Sequence, residues 1–413
     1  MKKVFAILVA LLLLCCFCGC EDTASVPQGT TMPEYVPAVD LSTPFIGFRL
    51  EKPVHADLEG YERVTLEQIN THVPEYSGYG VTVYYDTLTP EEQTVYRIVQ
   101  YAMDQSTPCI FVDGRLLPDM EERMEEILFC IALDNPLLEQ NMDWQYWGAS
   151  YVIPNLNPHS TVQGEKLEGV VLQIDEFIAG KLRKKKQAIE AAEKILAEMP
   201  ALESDRAKAE YFYRYLGNNV EYYIPEYTWI ASDYLYDALC GGKTLCDGFS
   251  NAFSLLCNMA EIPCAEKLYT PGPEDAERQG HTWNVVQLDG IWYNVDATCA
   301  SEVKGDHPML SYFGFSDDLL YYTVDYEERA PRCEENLIPP DVTVTKTSQA
   351  GKQVKQAYKS VKKTDRKYIV VRFPNGEPKK TVLQKIANSL RKDIVCYTNL
   401  TRNGEAICYI FPE

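Results

Sequence analysis

The chain has 413 residues, 39 basic and 60 acidic side chains, a net charge of −21, and 14 cysteines. Past the first 20 residues no stretch is apolar and long enough to span a bilayer, and the remaining length, about 390 residues, suits two or three domains. Beyond Cys20 the cysteine and histidine spacings contain no close ligand pair of the C-x-x-C or H-x-x-x-H kind, which argues against a metal centre.

Lys2 and Lys3 precede the apolar run Val4 to Leu14, which is followed by Cys15-Cys16-Phe17-Cys18-Gly19-Cys20. A basic start, a short apolar core and small residues before a break describe an export signal. Gly19-Cys20 resembles the end of a bacterial lipoprotein signal, so residues 1–20 are expected to be the signal and Cys20 the lipidated residue. The alternative is an uncleaved anchor helix. Both place the globular part on the extracytoplasmic face of the cell membrane. Residues 21–44 are rich in Thr, Pro and acid and read as a flexible tether. Export permits disulfides. The ten cysteines after Cys20 show no framework, and a pairing such as Cys396 with Cys408 stays open.

Residues 45–185 mix strand-like runs with helices and read as an N-terminal α/β domain, a scaffold or substrate-positioning unit. Gly80-Val81-Thr82-Val83-Tyr84-Tyr85 is expected to be a strand. Thr89-Pro90-Glu91-Glu92 supplies an N-cap, a proline at the first helical position and a capping-box glutamate, so a helix opens there. Another helix is expected from about Pro118 to Ala132. His55, His72 and His159 read as structural groups. The basic run Lys181 to Lys186 reads as a solvated face at the join to the next domain.

Residues 186–335 carry the chemistry. Helices are expected over Ala188 to Met199 and Ser204 to Leu216, leading to the aromatic segment that holds Trp229. Cys246 then opens a further helix, because Phe249, Phe253, Leu256 and Ala260 recur at helical spacing. Unpaired N–H groups and the positive end of the dipole favour a thiolate at such a position and could hold a developing oxyanion. Cys257 and Cys264 read as small core residues. Downstream, His281 to Leu288 and Ile291 to Asp296 flank Asp289-Gly290, a strong hairpin signal. A two-residue loop makes paired numbers sum to 579, so Asp296 faces Trp283 and His281 lies two residues along the same strand face. Sulfur, base and orienter are the three roles a thiol nucleophile needs. His307 is a rival base in a polar connection with no strand to aim it.

Cys246-Asp247-Gly248-Phe249, Gly280-His281-Thr282-Trp283-Asn284 and Trp292-Tyr293-Asn294-Val295-Asp296-Ala297-Thr298 resemble the core of the transglutaminase-like superfamily. The resemblance covers roughly residues 186 to 330, including Tyr312-Phe313-Gly314-Phe315-Ser316, similar to a segment that follows the core in bacterial members. It implies a papain-like fold with Cys246 as nucleophile, His281 as base and Asp296 as its orienter, acting by acyl transfer. In some relatives an aromatic side chain ahead of the nucleophile helps hold the oxyanion, which makes Trp229 a candidate beside the bland reading of a buried structural Trp. No metal or organic cofactor is implied.

Residues 341–413 hold fifteen Lys and Arg against six Asp and Glu, a net of +9 that leaves −30 on residues 1–340. Strands near Val342, over Lys367 to Phe373, Ile394 to Thr398 and Ala406 to Phe411, with helices near Val354 and over Lys379 to Leu390, make a small C-terminal α+β module. Its charge would attract an anionic cell-wall polymer or lipid headgroups, and nucleic acid is an implausible partner for an exported chain. The whole reads as an α+β protein: a lipid-anchored surface enzyme with a peptide or protein substrate, acting as an amidase, peptidase or cross-linking transferase. The alternative is an inactive surface binding or structural protein on a retired core of the same kind.

Overall fold

The computed structural model of the chain describes residues 43–49, 61–73, 78–105, 109–137, 144–153, 165–174, 178–224, 234–271, 280–302, 312–319, 324–364 and 366–413. The signal, residues 21–42 of the tether, Cys20, His55, His159, Trp229 and His307 lie outside these residues. No described helix is long and apolar enough to cross a membrane.

The first sheet joins β1 (Ile46–Arg49), β2 (Glu62–Arg63), β3 (Cys109–Asp113), β4 (Trp144–Ile153) and β5 (Glu165–Ile174) in the order β2-β1-β3-β5-β4, antiparallel throughout. The chain also forms α1 (Leu66–Thr71), α2 (Pro90–Asp104) and α3 (Met120–Asp134) here. In α2 the Thr89 hydroxyl accepts from the Glu92 N–H and the Glu92 carboxylate accepts from the Thr89 N–H, with Pro90 at the start. Val95, Ile98, Val99 and Ala102 then repeat at one-turn spacing and are fully buried.

The strand expected over Gly80–Tyr85 does not form; those residues turn and lead into a 3₁₀ turn over Tyr85–Thr87. The cause lies fifty residues away. Asp134, buried at the end of α3, accepts the N–H groups of Tyr84 and Tyr85, both at 2.9 Å, and its carbonyl takes the Val81 N–H at 3.0 Å. A carboxylate that satisfies the backbone removes the need for a neighbouring strand.

Next come α4 (Ile178–Glu198), α5 (Asp205–Asn219), the two-residue strands β6 (Glu221–Tyr222) and β7 (Lys243–Thr244), and α6 (Cys246–Met259). The helix α4 starts ten residues before the expected Ala188, so the Lys181–Lys186 run is part of it; lysines are good helix formers. It runs unbroken across the expected boundary at 185–186, and buried residues from both sides of that point form one apolar core. Polar ties cross the same way: the Tyr84 hydroxyl donates to the Glu266 carbonyl at 2.6 Å, and Arg329 pairs with Glu126 and Glu92.

The second sheet has the order β11-β10-β9-β8, built from β8 (Cys264–Tyr269), β9 (His281–Leu288), β10 (Ile291–Val295) and β11 (Phe313–Phe315), again antiparallel. The helix α6 lies on it through buried polar ties: Asn284 Nδ2 donates to the Ser250 carbonyl at 2.9 Å, and the Ser254 hydroxyl to the Cys264 carbonyl at 2.9 Å.

The C-terminal module follows the expected element order: β12 (Val342–Thr343), α7 (Ala350–Val361), β13 (Ile369–Phe373), α8 (Lys380–Leu390), β14 (Ile394–Leu400) and β15 (Ala406–Pro412). Its sheet, ordered β12-β13-β15-β14, has two apolar faces. Ile369, Val371, Phe373, Cys408 and Ile410 form a small core with residues of α7 and α8. Tyr368, Val370, Ile407, Tyr409 and Phe411 face the other way and belong to the main core. The alternation of a strand therefore docks the module onto the rest of the chain. In this sheet Cys396 stands opposite Ile410 and Cys408 opposite Thr398, and every cysteine among the described residues is a free thiol.

Candidate active site

Leu245 sits in extended backbone just ahead of α6, which makes Cys246 the first helical residue, 7% exposed. Gly248 allows this placement. A Cβ there would stand 2.0 Å from Thr244 Oγ1 and 2.6 Å from the Tyr234 carbonyl, so only glycine lets the helix start press against those residues. Phe249, Phe253 and Leu256 are fully buried and fix the face that Cys246 shares, while Cys257 and Cys264 are fully buried core thiols.

The hairpin has the register that the Asp289-Gly290 turn dictates. Leu288 pairs with Ile291 and the ladder runs to Asn284 with Val295, with Asp289 and Gly290 both at positive φ, 52° and 81°. One step further, Asp296 meets His281: Nε2 of the imidazole donates to Asp296 Oδ2 at 2.8 Å. A hydrogen bond also links the His281 and Cys246 side chains. The structure thus brings Cys246, His281 and Asp296 into one contiguous set.

Electrostatics follow from this placement. Burial pulls the His281 pKa down, but the Asp296 carboxylate outweighs it, and with the bond to Cys246 raises it from 6.5 to about 11. For Asp296, burial alone would raise the pKa; the His281 charge and hydrogen bond, with donors from Cys299 and Thr298, hold it below the ordinary carboxylate value. Those donors are the Thr298 N–H on Oδ1 at 3.1 Å and the Cys299 thiol on Oδ2 at 3.4 Å.

Several supporting contacts escaped the sequence reading. The His281 ring stacks on Trp283, centroids 5.9 Å apart and planes 19° apart. Trp283 Nε1 donates to Asn294 Oδ1 at 3.1 Å, and the buried Lys267 Nζ donates to the same oxygen at 3.3 Å and to Asp317 at 2.9 Å. Lys267 and Asn294 lie on the strands flanking β9 (the alternation that placed Asp296 could have placed Asn294), whereas Asp317 arrives from beyond β11 with no local signal. Asp247 also contacts the site, its Oδ2 3.6 Å from the sulfur of Cys246. Away from the site, His72 bonds Asp104 at 3.1 Å, as a structural histidine would.

The transglutaminase-like superfamily matches residues 191–297, a span that holds all three of these residues. A kyphoscoliosis peptidase of Mus musculus and that of Homo sapiens are each 33% identical over 72 residues, 16% of this chain. The chain spans only 11% of the length of these curated relatives. Among solved structures, a TGase is 16% identical over 41% of this chain and 48% of its own, with a TM-score of 0.23. The periplasmic domain of TgpA from Pseudomonas aeruginosa is 14% identical over 33% and 57%, with a TM-score of 0.20. Residues 191–297 are thus a transglutaminase-like domain.

Proposed function

We propose that the chain is a thiol acyltransferase or cysteine peptidase that acts on peptide or carboxamide carbonyls through Cys246, His281 and Asp296. The observation that carries this reading is the imidazole of His281, bonded to Asp296 at 2.8 Å and hydrogen-bonded also to the Cys246 side chain. The bonded Asp296 carboxylate favours the charged imidazole, the partner that a sulfur nucleophile needs beside it.

The sulfur attacks the carbonyl carbon, and the carbonyl electrons move to oxygen as the C–S bond forms. The N–H groups at the start of α6 are the nearest preorganised donors for that oxyanion. His281 gives its proton to the departing nitrogen as the C–N bond breaks, leaving an acyl thioester and an amine or ammonia. Water or a second amine then attacks the thioester, His281 takes the incoming proton, and the thiolate leaves. Asp296 keeps the ring in one tautomer throughout. Water gives hydrolysis and an amine gives cross-linking.

Casein offered as acyl donor tests the reading. Ammonia release, new amino termini or incorporation of a biotinylated amine should all vanish in Cys246→Ala; turnover that survives the substitution would refute it. Location and partners belong to the same proposal. Residues 1–20 support a lipid anchor at Cys20 on the extracytoplasmic face, and Cys20→Ser should then release the protein from membranes. On α7 and its C-terminal cap, Lys352, Lys355, Lys359 and Lys362 recur at spacings of three and four, all exposed, which supports an anionic wall polymer or lipid surface as partner of the basic module.

A further inference from the structure

The sulfur of Cys246 touches a second acid–base group besides His281. Its S–H points to Oδ2 of Asp247 at 3.6 Å, while Oδ1 of the same carboxylate accepts the Thr282 hydroxyl at 2.8 Å. Thr282 directly follows His281 on β9, so the carboxylate is tied at once to the nucleophile and to the strand that carries the base. An aspartate in the first turn of a helix ordinarily complements the dipole from solvent and needs no such tie. Asp247 is half-buried, one oxygen on the reacting atom and the other fixed across the cleft.

Resting on the proposed roles of Cys246 and His281, we infer that Asp247 restrains the nucleophile: its carboxylate accepts the thiol proton and opposes negative charge on the same sulfur, so the reactive pair with His281 forms against it. Like charges 3.6 Å apart repel even at the screening of bulk water, and more strongly in a half-buried site. The other titratable groups around that sulfur work differently. His281 favours the thiolate, and Asp296 and Cys299 act behind the imidazole. Tyr213 of α5 is buried behind those two, Tyr269 of β8 stands opposite His281, and Lys243 of β7 is exposed and paired with Glu221. Asp247 is the one carboxylate among them in contact with the sulfur.

The test uses the full chain and iodoacetamide, with the modified Cys246 peptide quantified by mass spectrometry from pH 4 to 9. Asp247→Asn keeps the shape and an oxygen for Thr282 but removes the charge. It should alkylate Cys246 at least fivefold faster than wild type near pH 5, with the difference closing towards pH 9. Thr282→Val keeps the charge but frees the carboxylate to swing away, and should speed alkylation in the same direction by a smaller factor. An Asp247→Asn rate equal to or below wild type at every pH, with unchanged thermal stability, overturns the inference. If that variant does not fold, a Thr282→Val rate no higher than wild type overturns it instead. His281→Ala separates the two levels. If His281→Ala leaves the acid side of the wild-type profile unchanged, the underlying reading fails; if it slows alkylation there while Asp247→Asn gives no gain, only the restraint by Asp247 fails.

Discussion

Gly248→Ala should destabilise the protein, against the ordinary sign of that change. In a helix interior, alanine for glycine is normally worth about 1 kcal/mol of added stability. At Gly248 the new methyl would stand 2.0 Å from Thr244 Oγ1, 2.6 Å from the Tyr234 carbonyl and 2.7 Å from Thr244 Cγ2. Neither neighbour can yield cheaply. Thr244 is 4% exposed and its hydroxyl bonds the same Tyr234 carbonyl at 3.3 Å. Overpacking of this kind costs roughly 1–3 kcal/mol, and contact with backbone lies at the upper end, so the net loss should be about 1–2 kcal/mol. Thermal scanning should show Tm lower by roughly 1–3 °C. Relief requires the start of α6 to move, and Cys246 moves with it; a shift of about 1 Å should cost on the order of 100-fold in turnover. A Gly248→Ala protein with equal or higher Tm and wild-type alkylation of Cys246 would refute the reasoning.

Three further outcomes follow from the same structure. Lys267→Met should cost about 2 kcal/mol in chemical denaturation, because it strips a 2% exposed ammonium from Asp317 and Asn294, and Lys267→Met with Asp317→Asn should recover part of it. His281, with its pKa raised, adds stability that is full below pH 6.5 and fades as pH rises through about 11, whereas Asp296, with its pKa lowered, adds stability present above pH 3.8 and lost below it. The stability difference between wild type and His281→Ala should therefore be widest between about pH 4 and 6.5 and shrink towards pH 11; a flat difference would contradict the ion pair. Replacing Lys352, Lys355, Lys359 and Lys362 with Gln should lower retention on anionic vesicles and remove most of its salt dependence, without altering Cys246 alkylation.

Local chemistry made much of this legible from sequence. The Asp289-Gly290 turn set the hairpin register, and the register alone put Asp296 beside His281. The Thr89 capping box located α2, and the strands expected in the basic module form in the expected order. What sequence could not carry was interaction at a distance. Gly80–Tyr85 has the composition of a strand, yet Asp134 supplies the backbone partners that a strand would need. The charge run at 181–186 reads as a solvated face at a join, and the structure places it within a continuous helix. The module's composition suggested a separable unit, yet Tyr368, Tyr409 and Phe411 are buried against the main body. Asp247 was in plain view beside Cys246, but its tie to Thr282 depends on how α6 meets β9.

The central claim is that His281 and Asp296 activate the sulfur of Cys246. The rate of Cys246 carboxamidomethylation at pH 6, measured by peptide mass spectrometry beside the other nine described thiols, tests it most directly. Cys246 should react far faster than the buried Cys257 and Cys264, and His281→Ala should remove the advantage. Equal rates for wild type and His281→Ala at that pH would contradict it.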